Sequence, residues 1–75
     1  MKEVIEILES LNLGVDVETC DELVDGGILA SLDLVTLVSE LSETFDITVP
    51  ARELKPENFN SAAAIWEMVQ RLQDE

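Results

Sequence analysis

Three stretches of the sequence repeat apolar residues with the period of an α-helix, and this pattern limits the fold more than any other feature. The middle stretch, residues 31–45, is the most regular. Ser31 is predicted to be its N-cap, and Asp33 lies in the first turn, where the helix dipole favours a carboxylate. The predicted inward stripes are Val4, Ile5, Ile7, Leu8 and Leu11; Leu34, Leu37, Val38, Leu41 and Phe45; and Ala62, Ile65, Met68, Val69 and Leu72.

A long connection separates the first two predicted helices. Its apolar residues, spread over residues 13–30, follow no period, which predicts a loop that packs on the core. Gly14 is predicted to end the first helix, residues 3–12. One helical turn is predicted over residues 20–24, and Gly26–Gly27 marks a turn with unusual backbone angles.

The last third of the chain is predicted to contain one short helix and one long helix. Pro50 and Pro56 restrict residues 51–59 to a brief irregular helix, because proline interrupts helical hydrogen bonding. Asn60 or Ser61 then caps the last helix. The predicted fold is all-α, a small four-helix bundle with three main helices and one short irregular helix, in one domain over all 75 residues.

Charge is distributed unevenly along the chain. Seventeen acidic residues and four basic ones give a formal charge of −13, and no basic residue lies between Lys2 and Arg52. Nucleic acid and anionic lipid bind through lysine and arginine, so this surface excludes both and favours basic protein partners. No apolar run is long enough for a membrane span, and Met1–Val4 begins a helix rather than a signal sequence. We expect a cytoplasmic monomer without membrane insertion.

The residue types present exclude most catalytic and metal chemistry. The chain has no histidine and one cysteine, Cys20, so it cannot build a Ser-His or Cys-His nucleophile pair, a zinc site or a disulfide framework. Gly26–Gly27 is followed by no lysine and does not form a phosphate-binding loop. Carboxylate pairs remain the open route to acid–base catalysis, but no tight cluster is visible, and we do not expect an enzyme.

Three further features have a simpler interpretation than a ligand site. Residues 21–32 resemble a calcium loop in spacing, but Leu23 and Leu32 occupy positions that require oxygen ligands. Cys20 lies among acidic residues, which disfavour its thiolate, and is interpreted as a half-buried packing residue. Trp66 lies beside the inward stripe of the last helix and is interpreted as packing there rather than stacking on a ligand.

Three segments resemble the acyl carrier protein family. Residues 27–35, Gly-Ile-Leu-Ala-Ser-Leu-Asp-Leu-Val, are similar to the prosthetic-group site of that family, and residues 37–50 are similar to the rest of its second helix. Residues 55–61 are similar to the junction between the third and fourth helices of stand-alone carriers, including D-alanyl carriers. The resemblance covers nearly the whole chain. It implies a carrier that holds an acyl or aminoacyl group as a thioester, not a catalyst.

The resemblance implies that Ser31 is esterified with phosphopantetheine, the covalent cofactor whose thiol holds the cargo. A helix N-terminus has unpaired amides and a positive dipole end, both of which suit a phosphodiester. The residues alone favour a simpler role for Ser31, that of N-cap. Ala30 stands where the family usually has aspartate. We expect this difference to affect the efficiency of modification more than the fold.

The resemblance also implies partners: a phosphopantetheinyl transferase, an acyl- or aminoacyl-activating ligase, and downstream transferases with basic docking patches. We predict a docking surface centred on an exposed leucine and rimmed by acids, formed by Leu32, Asp33, Glu40 and Glu43. Charged residues on a helix commonly form only a solvated face, which is the alternative interpretation. Residues 62–64, three alanines, either allow close helix packing or open an apolar gap for an acyl chain.

The alternative function is a carrier-like adaptor that never receives the prosthetic group and only binds a basic protein partner. Ala30 favours this alternative, because it removes an acid that a basic transferase would contact.

Overall fold

The computed structural model describes residues 1–74, which form four α-helices joined by turns. These are α1 (Lys2–Ser10), α2 (Ser31–Phe45), α3 (Pro56–Phe59) and α4 (Ala62–Gln73). A 3₁₀ turn, Ala51–Glu53, lies between α2 and α3. The predicted all-α bundle with three main helices and one short helix is confirmed. None of the helices within the described residues is long and apolar enough to cross a membrane.

The core is one cluster of apolar side chains from all four helices and from the long connection between α1 and α2. Three residues of that connection, Val17, Leu23 and Leu29, are buried, which confirms the prediction of a packed loop. The other buried apolar residues are Val4, Ile7, Leu8, Leu37, Leu41, Phe59, Ala62, Ile65, Met68, Val69 and Leu72. Because the connection contributes to the core, the position of its last residues relative to α2 is set by packing.

The long connection differs from the prediction in its turns. The helical turn predicted over residues 20–24 lies two residues later: Gly26 N donates to Glu22 O at 2.7 Å, and residues 23–27 form a single turn and not a helix. A Cβ at Gly26 would lie 2.6 Å from that oxygen, so the turn requires glycine there. Gly27 has a φ of +73°, a left-handed conformation that prevents the turn from continuing as a helix.

The end of α1 also differs from the prediction. The helix ends at Ser10 rather than near Gly14, and Leu11 is its C-cap. Asn12 follows with a φ of 54°. Asparagine tolerates this left-handed conformation better than most residues, so it takes the role predicted for Gly14.

The segment between α2 and α4 consists of two short pieces rather than the single irregular helix predicted over residues 51–59. The 3₁₀ turn ends at Glu53, and Pro56 then begins α3 at a first-turn position, where its missing N–H is not needed. Ser61, rather than Asn60, caps α4, since its Oγ accepts from Ala64 N at 3.0 Å.

Candidate functional site

The start of α2 is capped differently from the prediction. Ala30 is the N-cap, with extended backbone angles, and Ser31 is the first helical residue, so Ser31 does not cap α2. Asp33 Oδ2 accepts from Ala30 N at 3.2 Å. In a full capping box the N-cap side chain would accept a hydrogen bond in return, but alanine has no acceptor. The α2 cap is therefore only half formed, and the Ser31 hydroxyl takes no part in it.

Ser31 is exposed at the N-terminus of a 15-residue helix. The first N–H groups of a helix have no intrahelical acceptor and carry the positive end of the helix dipole. An ester of phosphate on the Ser31 hydroxyl would therefore lie in a favourable field, and no part of the core would have to move. These residues fit a serine-linked phosphodiester.

An apolar surface lies next to Ser31. The side chain of Leu32 is 80% exposed and that of Val35, one turn further along α2, is 66% exposed. A shallow groove of about 160 Å³ continues from there, and Leu54, 46% exposed, forms its other wall. The lining residues of the groove are Leu34, Val35, Val38 and Leu54. Such a contiguous exposed apolar surface is typical of an interaction site.

Asn60 hydrogen bonds the loop before Ser31 to the junction between α3 and α4. The Oδ1 atom of Asn60 accepts from Val24 N at 3.0 Å and from Asp25 N at 2.9 Å. Its Nδ2 atom donates to Asp25 Oδ2 at 3.0 Å, and its backbone oxygen accepts from Leu23 N at 2.9 Å. Leu29 N in turn donates to Leu23 O at 2.7 Å. This series of hydrogen bonds ends two residues before Ser31.

A second polar cluster lies on the side of the fold formed by the 3₁₀ turn, α3 and α4. Glu53 and Asn58 are buried, and Asn58 Nδ2 donates to both Glu53 O and Glu53 Oε1 at 2.9 Å. Arg71 donates to the same carboxylate at 3.1 and 3.3 Å. The hydrogen bond from Arg71 holds the pKa of the Glu53 carboxyl below its ordinary value of 4.5, although burial acts in the opposite direction. This cluster joins the segment that contains Leu54 to α4.

The chain has curated relatives of known type. It is 36% identical to the D-alanyl carrier protein of Lactobacillus delbrueckii subsp. bulgaricus over 75 residues, 99% of this chain and 94% of the relative. It is 42% identical to aminoacyl carrier protein 1 of Bradyrhizobium diazoefficiens over 69 residues, 92% of this chain and 76% of the relative. The D-alanyl carrier protein of Streptococcus sanguinis is 41% identical over 73 residues, 96% and 92% of the two chains. The chain belongs to the carrier protein family.

Members of the carrier protein family are carriers and not enzymes, so the expectation that this chain is not an enzyme is confirmed by its relatives. No family model matches the chain, and no solved structure matches it.

The four residues of the predicted docking surface of this carrier differ in their exposure. Leu32, Glu40 and Glu43 are exposed, as a docking role requires. Asp33 is half-buried and accepts from Ala30 N, so it also serves the cap. The assignment of these four residues, with Ser31, to partner and cofactor binding stays a prediction.

Sequence reasoning missed Val35, Leu54 and Asn60 as site residues. The signal for Val35 was available, because it lies three residues after Leu32 and outside the inward stripe. Leu54 and Asn60 gave no comparable signal, since each acts through a contact with a segment distant in the sequence. Of the two alternatives for residues 62–64, the burial of Ala62 in the core favours close helix packing, and the apolar groove lies instead beside α2.

The surroundings of Cys20 and Trp66 agree with their interpretation as packing residues. Cys20 is half-buried. Trp66 is half-buried, with its ring centroid 5.9 Å from that of Phe45. Leu23, at the third position of the calcium-like spacing, is buried in the core, so that segment is folded around an apolar residue. Among the described residues, no group of three His, Cys, Asp or Glu is placed to hold a metal ion.

Proposed function

We propose that Ser31 receives a phosphopantetheine group and that the chain carries an acyl or aminoacyl unit on it. The observation that supports this most is the exposed Ser31 at the first position of α2, with a hydroxyl that the helix does not use as a cap. The names of the relatives, D-alanyl and aminoacyl carrier proteins, favour the aminoacyl class of cargo. The thiol at the end of the bound arm would hold that cargo as a thioester.

The modification is a phosphoryl transfer from coenzyme A. The Ser31 Oγ forms a bond to the phosphorus that carries the pantetheine, the pyrophosphate bond of coenzyme A breaks, and adenosine 3′,5′-bisphosphate leaves. The serine proton passes to a base of the phosphopantetheinyl transferase. The chain contributes an accessible hydroxyl and the electrostatic field of the α2 N-terminus, which lowers the free energy of the phosphodiester product.

Intact-mass measurement after incubation with a phosphopantetheinyl transferase and coenzyme A tests the assignment. We expect one phosphopantetheinyl group on the wild-type chain and none on Ser31→Ala, with unchanged helical circular dichroism. Ser39→Ala is the matched control, since Ser39 is an exposed serine on the same helix, and it should be modified normally. Modification that persists in Ser31→Ala would place the attachment site elsewhere.

The same experiment separates the carrier from the unmodified adaptor. The adaptor is favoured by Ala30, which replaces the acid usual in the family. A wild-type chain that stays unmodified at long incubation while still binding a basic partner protein would support the adaptor and refute the carrier.

We propose that partner enzymes dock on the surface formed by Leu32, Asp33, Glu40 and Glu43. Acids at the rim of a contact steer a basic partner and raise its association rate, whereas an apolar centre slows dissociation. Glu40→Lys combined with Glu43→Lys should therefore slow association with the transferase, with a smaller penalty at high salt. Leu32→Ala should mainly speed dissociation.

The control for charge reversal is Glu3→Lys with Glu6→Lys, which makes the same change in net charge on exposed positions of α1. Equal association rates for the two charge-reversed proteins at low ionic strength would show that the α2 acids have no special part in docking. Unfolding of Leu32→Ala would place Leu32 in the core, contrary to its 80% exposure.

A further inference from the structure

We infer that Asn60 is a positioning residue for the modification of Ser31, and this inference rests on the proposed carrier function. Asn60 lies at the junction between α3 and α4, far from Ser31 in sequence. Its side chain makes three hydrogen bonds to residues 24–25 of the loop that leads to Ser31.

The hydrogen bonds at Asn60 require an amide. Two backbone N–H groups, of Val24 and Asp25, meet one side-chain atom, which must therefore be the oxygen. The other side-chain atom donates to the Asp25 carboxylate, and only the NH₂ group can do so. An aspartate at position 60 would keep the acceptor but would place a second carboxylate against Asp25.

The constraint at Asn60 extends to Ser31 through the loop. Leu23 is held at both backbone groups, because its N donates to Asn60 O and its O accepts from Leu29 N at 2.7 Å. Leu29 is buried and is followed only by Ala30 before Ser31. The Asn60 backbone therefore fixes Leu23 and, through it, Leu29 near the start of α2, while the Asn60 side chain holds residues 24–25 of the turn between them.

The side chain and the backbone of Asn60 have separable roles. The Leu23–Asn60 backbone hydrogen bond and the burial of Leu23 do not depend on the side chain at position 60. A substitution of the side chain therefore releases residues 24–25 while the core contact of the loop remains. A transferase that must meet Ser31 and the adjacent loop together would then find a smaller fraction of chains in the competent arrangement, which raises the apparent KM.

The experiment measures the kinetics of Ser31 modification by a phosphopantetheinyl transferase in four variants of the full chain. Asn60→Asp should raise the KM for the carrier by up to about fivefold, the limit set by the net loss of one hydrogen bond, with little change in kcat. The exchange of partners, Asn60→Asp with Asp25→Asn, should restore the wild-type KM, because the amide introduced at position 25 can then donate to the carboxylate at position 60. Asp25→Asn alone should also resemble wild type, since the amide oxygen at position 25 can accept from Asn60.

Ser61→Ala is the control for a general loss of stability. It removes the cap of α4 at the adjacent residue but leaves the hydrogen bonds to the loop in place, so its KM should equal that of wild type. Hydrogen exchange of the Val24 and Asp25 amides gives a second readout: it should be faster in Asn60→Asp than in Ser61→Ala.

Three outcomes would overturn the inference: an unchanged KM in Asn60→Asp, an equal rise in Ser61→Ala, or a double variant that fails to recover. Each of these leaves the proposed function intact, because wild-type Ser31 is still modified. A wild-type chain without modification would instead refute the proposed function, and the inference with it.

Discussion

The N-termini of α2 and α4 both begin with backbone N–H groups that lack intrahelical acceptors, but only α4 has a side-chain cap for one of these groups. At α4, Ser61 Oγ accepts from Ala64 N, and the preceding Asn58 and Asn60 side chains are both engaged in hydrogen bonds. At α2, Ala30 offers no acceptor and Ser31 has no capping role. The start of α4 is therefore capped by a side chain, whereas the start of α2 has no side-chain cap for its first N–H groups.

This difference indicates that the two helix starts have different roles: the start of α4 stabilises the fold, and the start of α2 exposes Ser31 to partner enzymes. The polar groups before α4 satisfy one another inside the fold, which fixes the junction and, through Asn60, the loop before Ser31. The polar and apolar groups at the start of α2 face outward, where a partner enzyme can contact them. A reactive group is best presented when its supporting residues are rigid. We therefore expect substitutions of Asn58 and Ser61 to change stability more than modification, and substitution of Ser31 to change modification more than stability.

The largest loss of stability is expected for Asn58→Ala. It removes two hydrogen bonds from a buried amide to Glu53, one of them to a charged group, and should lower the free energy of unfolding by about 1–3 kcal/mol in urea titrations. Gln70→Ala, at an exposed position of α4, is the control and should change it by less than about 0.5 kcal/mol. Equal values for the two variants would show that the buried cluster does not stabilise the junction.

The two serines at the helix starts provide the next test. Ser61→Ala removes a formed cap and should lower the free energy of unfolding by about 1 kcal/mol. Ser31→Ala should change it by less than half as much, because Ser31 is not a cap in this structure. Thermal unfolding followed by circular dichroism measures both, and similar losses for the two variants would mean that Ser31 also caps α2 in solution.

The helices could be predicted from the sequence because their signal is local. The apolar stripes place α2 at residues 31–45 and α4 from Ala62, as the structure has them. The predicted N-cap of α2, Ser31, lies one residue after the observed one, Ala30, because serine is a better capping residue than alanine. The spacing of Asp33 was the missed signal: an acid at the third helical position hydrogen bonds back to the N-cap, which is residue 30.

The parts of the site that could not be predicted depend on contacts between distant residues. Asn60 and Asp25 are 35 positions apart, and Arg71 and Glu53 are 18 apart. The periodicity of a sequence shows which face of a helix is apolar. It does not show which loop packs against that face, so it cannot predict that such residues are in contact. The exposure of Leu32 could be inferred from the stripe, whereas Leu54 as the second wall of the groove could not.

Completing the α2 cap should have a smaller effect on stability, in the opposite direction. An Asp or Asn at position 30 can accept from a first-turn N–H, so Ala30→Asp and Ala30→Asn should each raise the free energy of unfolding by about 0.5–1 kcal/mol. Only Ala30→Asp adds a charge that a basic transferase can contact, so it alone should speed modification, most clearly at low salt. Equal modification rates for the two variants would show that the transferase does not recognise the charge at position 30.

The smallest effect expected is a pH dependence at Glu53. Because Arg71 lowers the pKa of this carboxyl in the folded state, the folded protein holds it ionised more strongly than the unfolded chain does. Its contribution to stability is therefore fully present above the unfolded value near 4.5 and is lost as the pH falls through the lower folded value. The difference in unfolding free energy between wild type and Glu53→Gln should be constant from neutral pH down to about pH 5.5 and should shrink below that.

The comparison with Glu53→Gln is needed because a second effect of acid has the opposite sign. At a formal charge of −13 the folded chain repels itself, and protonation of exposed carboxylates relieves that repulsion in both proteins. A measurement on the wild type without the variant could therefore show a gain in stability on mild acidification even while the Glu53 contribution falls. Glu67→Gln, which removes one charge from an exposed position of α4, measures the relief of repulsion by itself. If the difference in unfolding free energy between wild type and Glu53→Gln did not shrink as the pH falls, the Arg71 contact would not distinguish the ionised from the protonated carboxyl.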